Sequence, residues 1–127
     1  MRLLLFMIWL ISTGLAFANE GGGEGGAQYV EVGPKLIVNL ANPKQLMAVS
    51  PQLMVEGEAM EAVKKNMSAI KNALIMNYSG RTAESLATAE QREALRKETF
   101  EIVKEILEKY GSSEGFSDVF FSDFRIN

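Results

Sequence analysis

Residues 45–80 read QLMAVSPQLMVEGEAMEAVKKNMSAIKNALIMNYSG and contain the change from strand to helix on which the fold class depends. After Gly57 the apolar residues recur at spacings of three and four, as on one face of an α-helix. They are Met60, Val63, Met67, Ile70 and Leu74. The spacing predicts an amphipathic helix of about 20 residues that ends at Gly80. Before Gly57, Pro51 cannot donate to a ladder, so we expect an edge strand or two pieces joined by an irregularity.

The segment upstream of this stretch predicts further β-structure. Tyr29–Leu40 reads YVEVGPKLIVNL and is rich in β-branched and other apolar residues. Gly33 and Pro34 interrupt it, which indicates either two short strands or one strand with a bend or bulge.

The segment downstream predicts a second helix and a last strand. Residues 82–86 suggest a short helical turn, and Thr88 with Gln91 fits a capping box that starts a helix. That helix runs to about Tyr110, with Gly111 as a left-handed stop. Its apolar stripe comprises Leu95, Thr99, Ile102, Val103, Ile106, Leu107 and Tyr110. Residues 116–126 predict the terminal strand, so the fold class is α+β in the order β-β-α-α-β, with two main amphipathic helices packed on one face of a small sheet.

The terminal strand, FSDVFFSDFRI, has two readings. Strict alternation places Phe120 and Phe124 on the same face. A bulge near Ser122 and Asp123 instead turns Phe124 toward the core, together with its apolar neighbours, and leaves Phe120 facing outward. An outward Phe120 is either covered by a neighbouring element or part of a subunit contact. Phe120 and Arg125 are therefore the candidate interface residues.

The composition excludes several kinds of chemistry. The chain has no His and no Cys, so serine–histidine and cysteine–histidine mechanisms are closed and zinc is disfavoured. The net charge of −3 argues against nucleic acid as a partner. The only aspartates, Asp118 and Asp123, are expected at solvated or capping positions rather than as a catalytic or cation-binding pair. We therefore assign no catalytic residue, cofactor or metal, and expect a protein that is not an enzyme.

The N-terminal residues predict export. Residues 1–18 read MRLLLFMIWLISTGLAFA, in which Arg2 precedes a short apolar run and Ala16 and Ala18 form a small-residue cleavage pattern. We expect a signal peptide or, alternatively, a short membrane anchor. Residues 19–28 are rich in glycine and predict a flexible linker. The domain then comprises residues 29–127 and is expected in the periplasm.

Three segments resemble one known family. Tyr29-Val30 with Pro34 and Leu36–Leu40 is similar to the entry strand of the FliL family of flagellar basal-body-associated proteins. Arg81–Thr88 leading into Glu93–Glu98 is similar to the central helix-turn-helix of that family, and Val119–Asn127 to its C-terminal strand. The resemblance implies a stomatin/prohibitin-like extracytoplasmic domain that forms rings beside the flagellar motor, associates with stator units at the inner membrane and supports motility.

The first functional hypothesis is therefore a self-associating, non-enzymatic module of the flagellar basal body, with motor and stator proteins as partners. The alternative is a periplasmic binding or adaptor domain that shares only the fold. A carboxylate-dependent hydrolase is the third and weakest reading.

Overall fold

The computed structural model describes residues 26–127, and the predicted signal or anchor at 1–18 and most of the linker lie outside that range. The domain is α+β, as predicted, with one more strand and one more helix than expected. The strands are β1 (Gln28–Glu31), β2 (Leu36–Asn39), β3 (Leu46–Val55) and β4 (Phe116–Ile126). The helices are α1 (Glu58–Lys65), α2 (Met67–Tyr78) and α3 (Ala89–Tyr110), with a 3-10 turn at Ala83–Leu86.

Of the two alternatives predicted for the strand around Pro51, the edge strand is wrong, because β3 is the centre of the sheet, whereas an irregularity of register with β4 does lie between Val49 and Pro51. β1 and β2 pair antiparallel with successive halves of β3 along one side, and β4 pairs antiparallel along the other. The carbonyl of Pro51 accepts from the Val32 N–H at 2.9 Å, so the Pro51 nitrogen faces the same side. On that side lies the break between β1 and β2 at Gly33 and Pro34. The N–H that Pro51 lacks would therefore point to a place where β3 has no strand partner to bond.

The bulge predicted in β4 is confirmed. The register passes from Val49–Phe124 to Pro51–Phe121, so Ser122 and Asp123 together oppose one residue of β3. The extra residue brings Phe121 and Phe124 to the same face, where both pack against the core.

The first predicted helix is divided at Asn66. This residue has φ −108° and ψ 20°, and its side-chain amide donates to the Ala62 carbonyl at 2.8 Å. An asparagine side chain competes with the backbone for that carbonyl, which loosens the turn. The Ile70 N–H still bonds the Asn66 carbonyl at 3.0 Å, so the apolar face continues from α1 into α2.

Helix α3 begins as predicted and ends differently. The Thr88 hydroxyl accepts from the Gln91 N–H, and the Gln91 side chain accepts from the Thr88 N–H, each at 3.0 Å. This is the predicted capping box. The prediction of a left-handed Gly111 is wrong, since its φ of 163° is extended. The left-handed residue is Gly115, at φ 99°, immediately before β4.

The core fills the space between one face of the sheet and the helices. β3 supplies alternate residues from Met47 to Val55, and the helices supply their predicted apolar faces, except that Tyr110, predicted in the stripe of α3, is exposed. Fully buried side chains on the helices are Ala59, Val63, Ile70, Leu74, Tyr78, Leu95, Thr99, Val103 and Leu107. Each large apolar side chain removed from water in this way contributes roughly 1.5–3 kcal/mol.

One buried polar contact joins α2 to α3. The Tyr78 and Thr99 hydroxyl oxygens lie 2.7 Å apart, and Thr99 donates to the Leu95 carbonyl at 2.9 Å. Since a threonine has a single hydroxyl proton, Tyr78 must be the donor to Thr99.

This direction predicts unequal costs for removing the two hydroxyls. We expect Thr99→Val to destabilise the domain by about 2 kcal/mol, because it leaves a buried donor unsatisfied, and Tyr78→Phe by only about 1 kcal/mol. Urea unfolding of both variants measures the difference. Equal costs, or a larger cost for Tyr78→Phe, would show that Thr99 is the donor instead.

Candidate interaction surface

The sheet has a second face that no helix within residues 26–127 covers, and we call it the outer face. Along β3 the side chains alternate, so the even-numbered residues from Leu46 to Met54 point away from the core. Their partners on the neighbouring strands lie on the same face. These partners are Tyr29, Glu31, Ile37, Asn39, Asp118, Phe120 and Arg125, of which Asp118 binds Arg96 of α3.

The outer face concentrates exposed apolar side chains. Within residues 26–127, six large hydrophobic side chains are exposed, and four of them lie here. The exposed fractions are 53% for Tyr29, 58% for Ile37, 40% for Leu46 and 40% for Phe120. A concentration of this kind on one face is typical of a protein–protein contact, whereas scattered single residues are not.

Two of these residues form an aromatic pair across the central strand. The Tyr29 and Phe120 ring centroids are 5.0 Å apart with an interplanar angle of 87°, an edge-to-face arrangement. Such a contact holds both rings in place, so they form a preorganised apolar surface at this end of the face.

A polar belt crosses the middle of the outer face. Lys35, from the β1–β2 connection, reaches Asp123 on β4 at 3.5 Å, and Arg125 binds the same carboxylate at 3.2 Å. Beneath them, the Ser50 hydroxyl donates to the Pro34 carbonyl at 3.2 Å. Burial alone would raise the pKa of Asp123, but Arg125 and Lys35 hold the pKa below its ordinary value. The belt separates the Tyr29–Phe120 pair from Ile37 and Leu46 at the other end.

Both residues that the sequence proposes for an interface, Phe120 and Arg125, lie on this face. The sequence reasoning missed Tyr29, Ile37 and Leu46. The alternation Leu36, Ile37, Val38 could have identified Ile37 as the outward residue, because its two neighbours are buried. To place Leu46 and Tyr29 on this face, one must know how β3 pairs with its neighbours. That pairing could not be predicted while β3 was expected at the edge of the sheet.

The two aspartates of β4 are both engaged in ion pairs. Asp118 binds Arg96 at 2.6 Å and accepts from the Val119 N–H at 2.8 Å, while Asp123 belongs to the polar belt. In the part of the chain that the structure describes, no three acidic side chains come together as a cation site.

Two surface cavities lie away from the outer face. One, of about 390 Å³, lies between α1 and the end of α3, and the other, of about 270 Å³, lies between α3 and the start of β4. Charged residues such as Lys65 and Lys97 line them, as on other solvated helix faces. The outer face is therefore the leading candidate for a functional surface.

No helix within residues 26–127 is both long and apolar enough to cross a bilayer.

Comparison with known proteins identifies the family. The chain is 30% identical over 96 residues to the flagellar protein FliL of Aquifex aeolicus, in a match covering 73% of this chain and 57% of that protein. It thus spans little more than half of that relative. Residues 29–126 match the model of the family described as flagellar basal body-associated protein FliL. The chain therefore belongs to the FliL family of flagellar basal-body-associated proteins.

Proposed function

We propose that this protein is a non-enzymatic module of the flagellar basal body that self-associates near the motor and supports stator function and motility. The family places it among basal-body-associated proteins. The observation that carries the finer proposal is the outer face, where four large apolar side chains are exposed. A surface of this composition acts by contact with another protein rather than by making or breaking bonds.

The proposed location is extracytoplasmic. Residues 1–18 carry the export signal or a short anchor, residues 19–27 form the tether, and the domain that contacts the motor in the periplasm begins with β1 at Gln28, one residue earlier than predicted. A chain retained by its anchor would lie at the inner membrane, and a cleaved chain would be periplasmic. N-terminal sequencing of the exported protein distinguishes the two, since cleavage predicts a start at Asn19.

A deletion strain tests the role in motility. We expect the strain to swim and swarm more slowly than its parent, most clearly in viscous medium, where the stator must deliver more torque. Complementation with the full chain should restore the speed. Normal swimming and swarming of the deletion strain at high load would contradict a role in stator function.

Self-association is tested with substitutions on the outer face. We expect the double variant Tyr29→Ser/Phe120→Ser to associate at least about tenfold more weakly than the natural chain, because aromatic residues dominate most protein interfaces. Sedimentation of the full-length protein over a range of concentrations measures this.

The matched control is Met76→Ser. Met76 is also an exposed large hydrophobic residue, at 69%, but it lies on α2, away from the outer face. It should leave the association unchanged. If the control and the double variant weaken self-association equally, the association depends on exposed hydrophobic residues in general, and the outer face is not the specific contact.

A further inference from the structure

The hydrogen-bond phase of β4 shows which of its backbone groups face away from the sheet. Leu46 and Asn127 exchange both backbone hydrogen bonds, at 3.1 and 2.9 Å. In an antiparallel ladder such pairs alternate with pairs that exchange none. The next pair, Met47–Ile126, is therefore not hydrogen-bonded, and neither is Val49–Phe124. The N–H and C=O groups of Phe124 and Ile126 consequently point outward from the free edge of β4.

The two halves of this edge differ. At Val119 the outward groups are occupied, because Asp118 accepts from the N–H at 2.8 Å and Arg96 donates to the carbonyl at 3.1 Å. A side-chain clamp of this kind protects a strand edge from pairing. In the described part of the chain nothing comparable bonds the outward groups of Phe124 and Ile126. The second half of β4 is thus open to another strand.

At the opposite edge of the sheet, formed by β1 and β2, some outward backbone groups are also hydrogen-bonded and others are not. The Val32 N–H bonds Pro51, so Val32 faces β3, and by alternation Glu31 and Tyr29 face outward. At the β2 end, the Asn39 carbonyl instead accepts from the Gly80 N–H at 3.0 Å. Within residues 26–127, no backbone bond outside the strand ladders reaches the outward groups of Tyr29 and Glu31, so β1 has an open edge at these two residues.

We propose that β1 of one copy of this chain adds as a strand to the second half of β4 of the next copy. Both strands run antiparallel to β3, so copies in a similar orientation would pair these strands in parallel. A contact between two different edges is heterologous, as a ring of side-by-side subunits requires. This inference rests on the proposed self-association and adds to the outer face a second contact, between the strand edges of neighbouring copies.

The charges of the two edges are complementary. Glu31 on β1 is exposed and forms no ion pair among the described residues, and its side chain lies on the outer face. Arg125 on β4 is 57% exposed on the same face, even with its bond to Asp123. Strand addition places side chains of one face next to each other, so Glu31 of one copy would approach Arg125 of the next. Val30, half-buried on the other face, would at the same time cover the half-exposed side chains of Phe124 and Ile126.

A charge swap tests this pairing in the full-length protein. We expect Glu31→Arg and Arg125→Glu each to weaken self-association about tenfold in low salt, because each brings like charges together at the interface. The combined variant Glu31→Arg/Arg125→Glu should regain most of the loss. Glu105→Arg, at an exposed position of α3, is the control and should associate like the natural chain. Sedimentation gives the association, and melting temperatures confirm that each variant is folded.

The natural absence of cysteine allows a second, independent measurement. Single-cysteine proteins Glu31→Cys and Arg125→Cys, mixed and oxidised, should form a mixed disulfide, whereas Glu31→Cys with Ser117→Cys, at the closed half of β4, should not. Association that persists without rescue by the charge swap and without the mixed disulfide would overturn the strand pairing and leave the proposed function standing. A chain that remains monomeric at all concentrations would overturn both.

Discussion

Gly115→Ala is expected to destabilise the domain by at least about 3 kcal/mol, because two separate costs act at this position. Gly115 has φ +99°, a conformation that residues with a side chain rarely adopt. An added Cβ would also overlap the Glu56 carbonyl oxygen and lie 3.1 Å from the Cβ of Ala59. Neither neighbour can move easily. The Glu56 N–H bonds the Gly115 carbonyl at 3.0 Å and joins the start of β4 to the end of β3, and Ala59 is fully buried in the core.

Gly57→Ala separates the two costs. Gly57 also has a positive φ, of +62°, but no atom lies within 4 Å of a Cβ added there. With ψ −135°, Gly57 lies outside the left-handed helical region, so we expect this variant to lose about 2 kcal/mol, from the backbone conformation alone. Urea unfolding of both variants gives the comparison. If they lose the same free energy, the close approach of Gly115 to Glu56 does not contribute to the cost.

Local signals predicted much of this fold because each acts over a few residues. The capping box needs only Thr88 and Gln91, and its two hydrogen bonds form within one turn. The end of α2 likewise needs only the left-handed Gly80. The bulge in β4 followed from the need to place the apolar residues on one face, which the sequence FFSDFRI can satisfy only with an extra residue.

The incorrect predictions concern features that depend on distant residues. Pro51 argued for an edge, but its tolerance in a central strand depends on Gly33 and Pro34, nearly 20 residues earlier in the chain, where the partner strand breaks. Gly111 argued for a left-handed helix end, yet that conformation is needed at Gly115, where the backbone approaches Glu56. The break between α1 and α2 was not predicted, because it lies at Asn66, and the sequence has neither Gly nor Pro there to indicate a helix end.

The same limit applies to the candidate surface. Phe120 and Arg125 could be selected from their own strand, once a bulge was assumed. The complete outer face required the pairing of Tyr29 with Met54 and of Ile37 with Ala48, both of which depend on β3 being central. A surface composed of three strands is thus predictable only after the order of those strands is known.

The buried Tyr78 hydroxyl should make the domain less stable at alkaline pH. Tyr78 is fully buried, and this burial raises the pKa of its hydroxyl well above the ordinary value. The folded protein therefore keeps the Tyr78 proton at a pH where the unfolded chain has lost it, and the unfolded state gains stability from ionisation. The contribution of Tyr78 to the free energy of unfolding is constant below about pH 10. It is lost as the pH rises above that value, by about 1.4 kcal/mol per pH unit. At about pH 12 the loss relative to Tyr78→Phe should reach roughly 2.7 kcal/mol.

The comparison of natural protein and Tyr78→Phe isolates this residue, because lysine deprotonation affects both proteins equally. Below pH 10 the natural protein should be the more stable, by the hydrogen bond to Thr99 at 2.7 Å. The order should reverse at about pH 11, where the loss exceeds the roughly 1 kcal/mol from this hydrogen bond, since only the natural protein must keep a buried phenol protonated. Tyr110→Phe, at an exposed position, should follow the natural protein throughout. Urea unfolding between pH 8 and about pH 12 gives the three curves, and parallel curves for the natural protein and Tyr78→Phe would mean that the hydroxyl reaches water in the folded state.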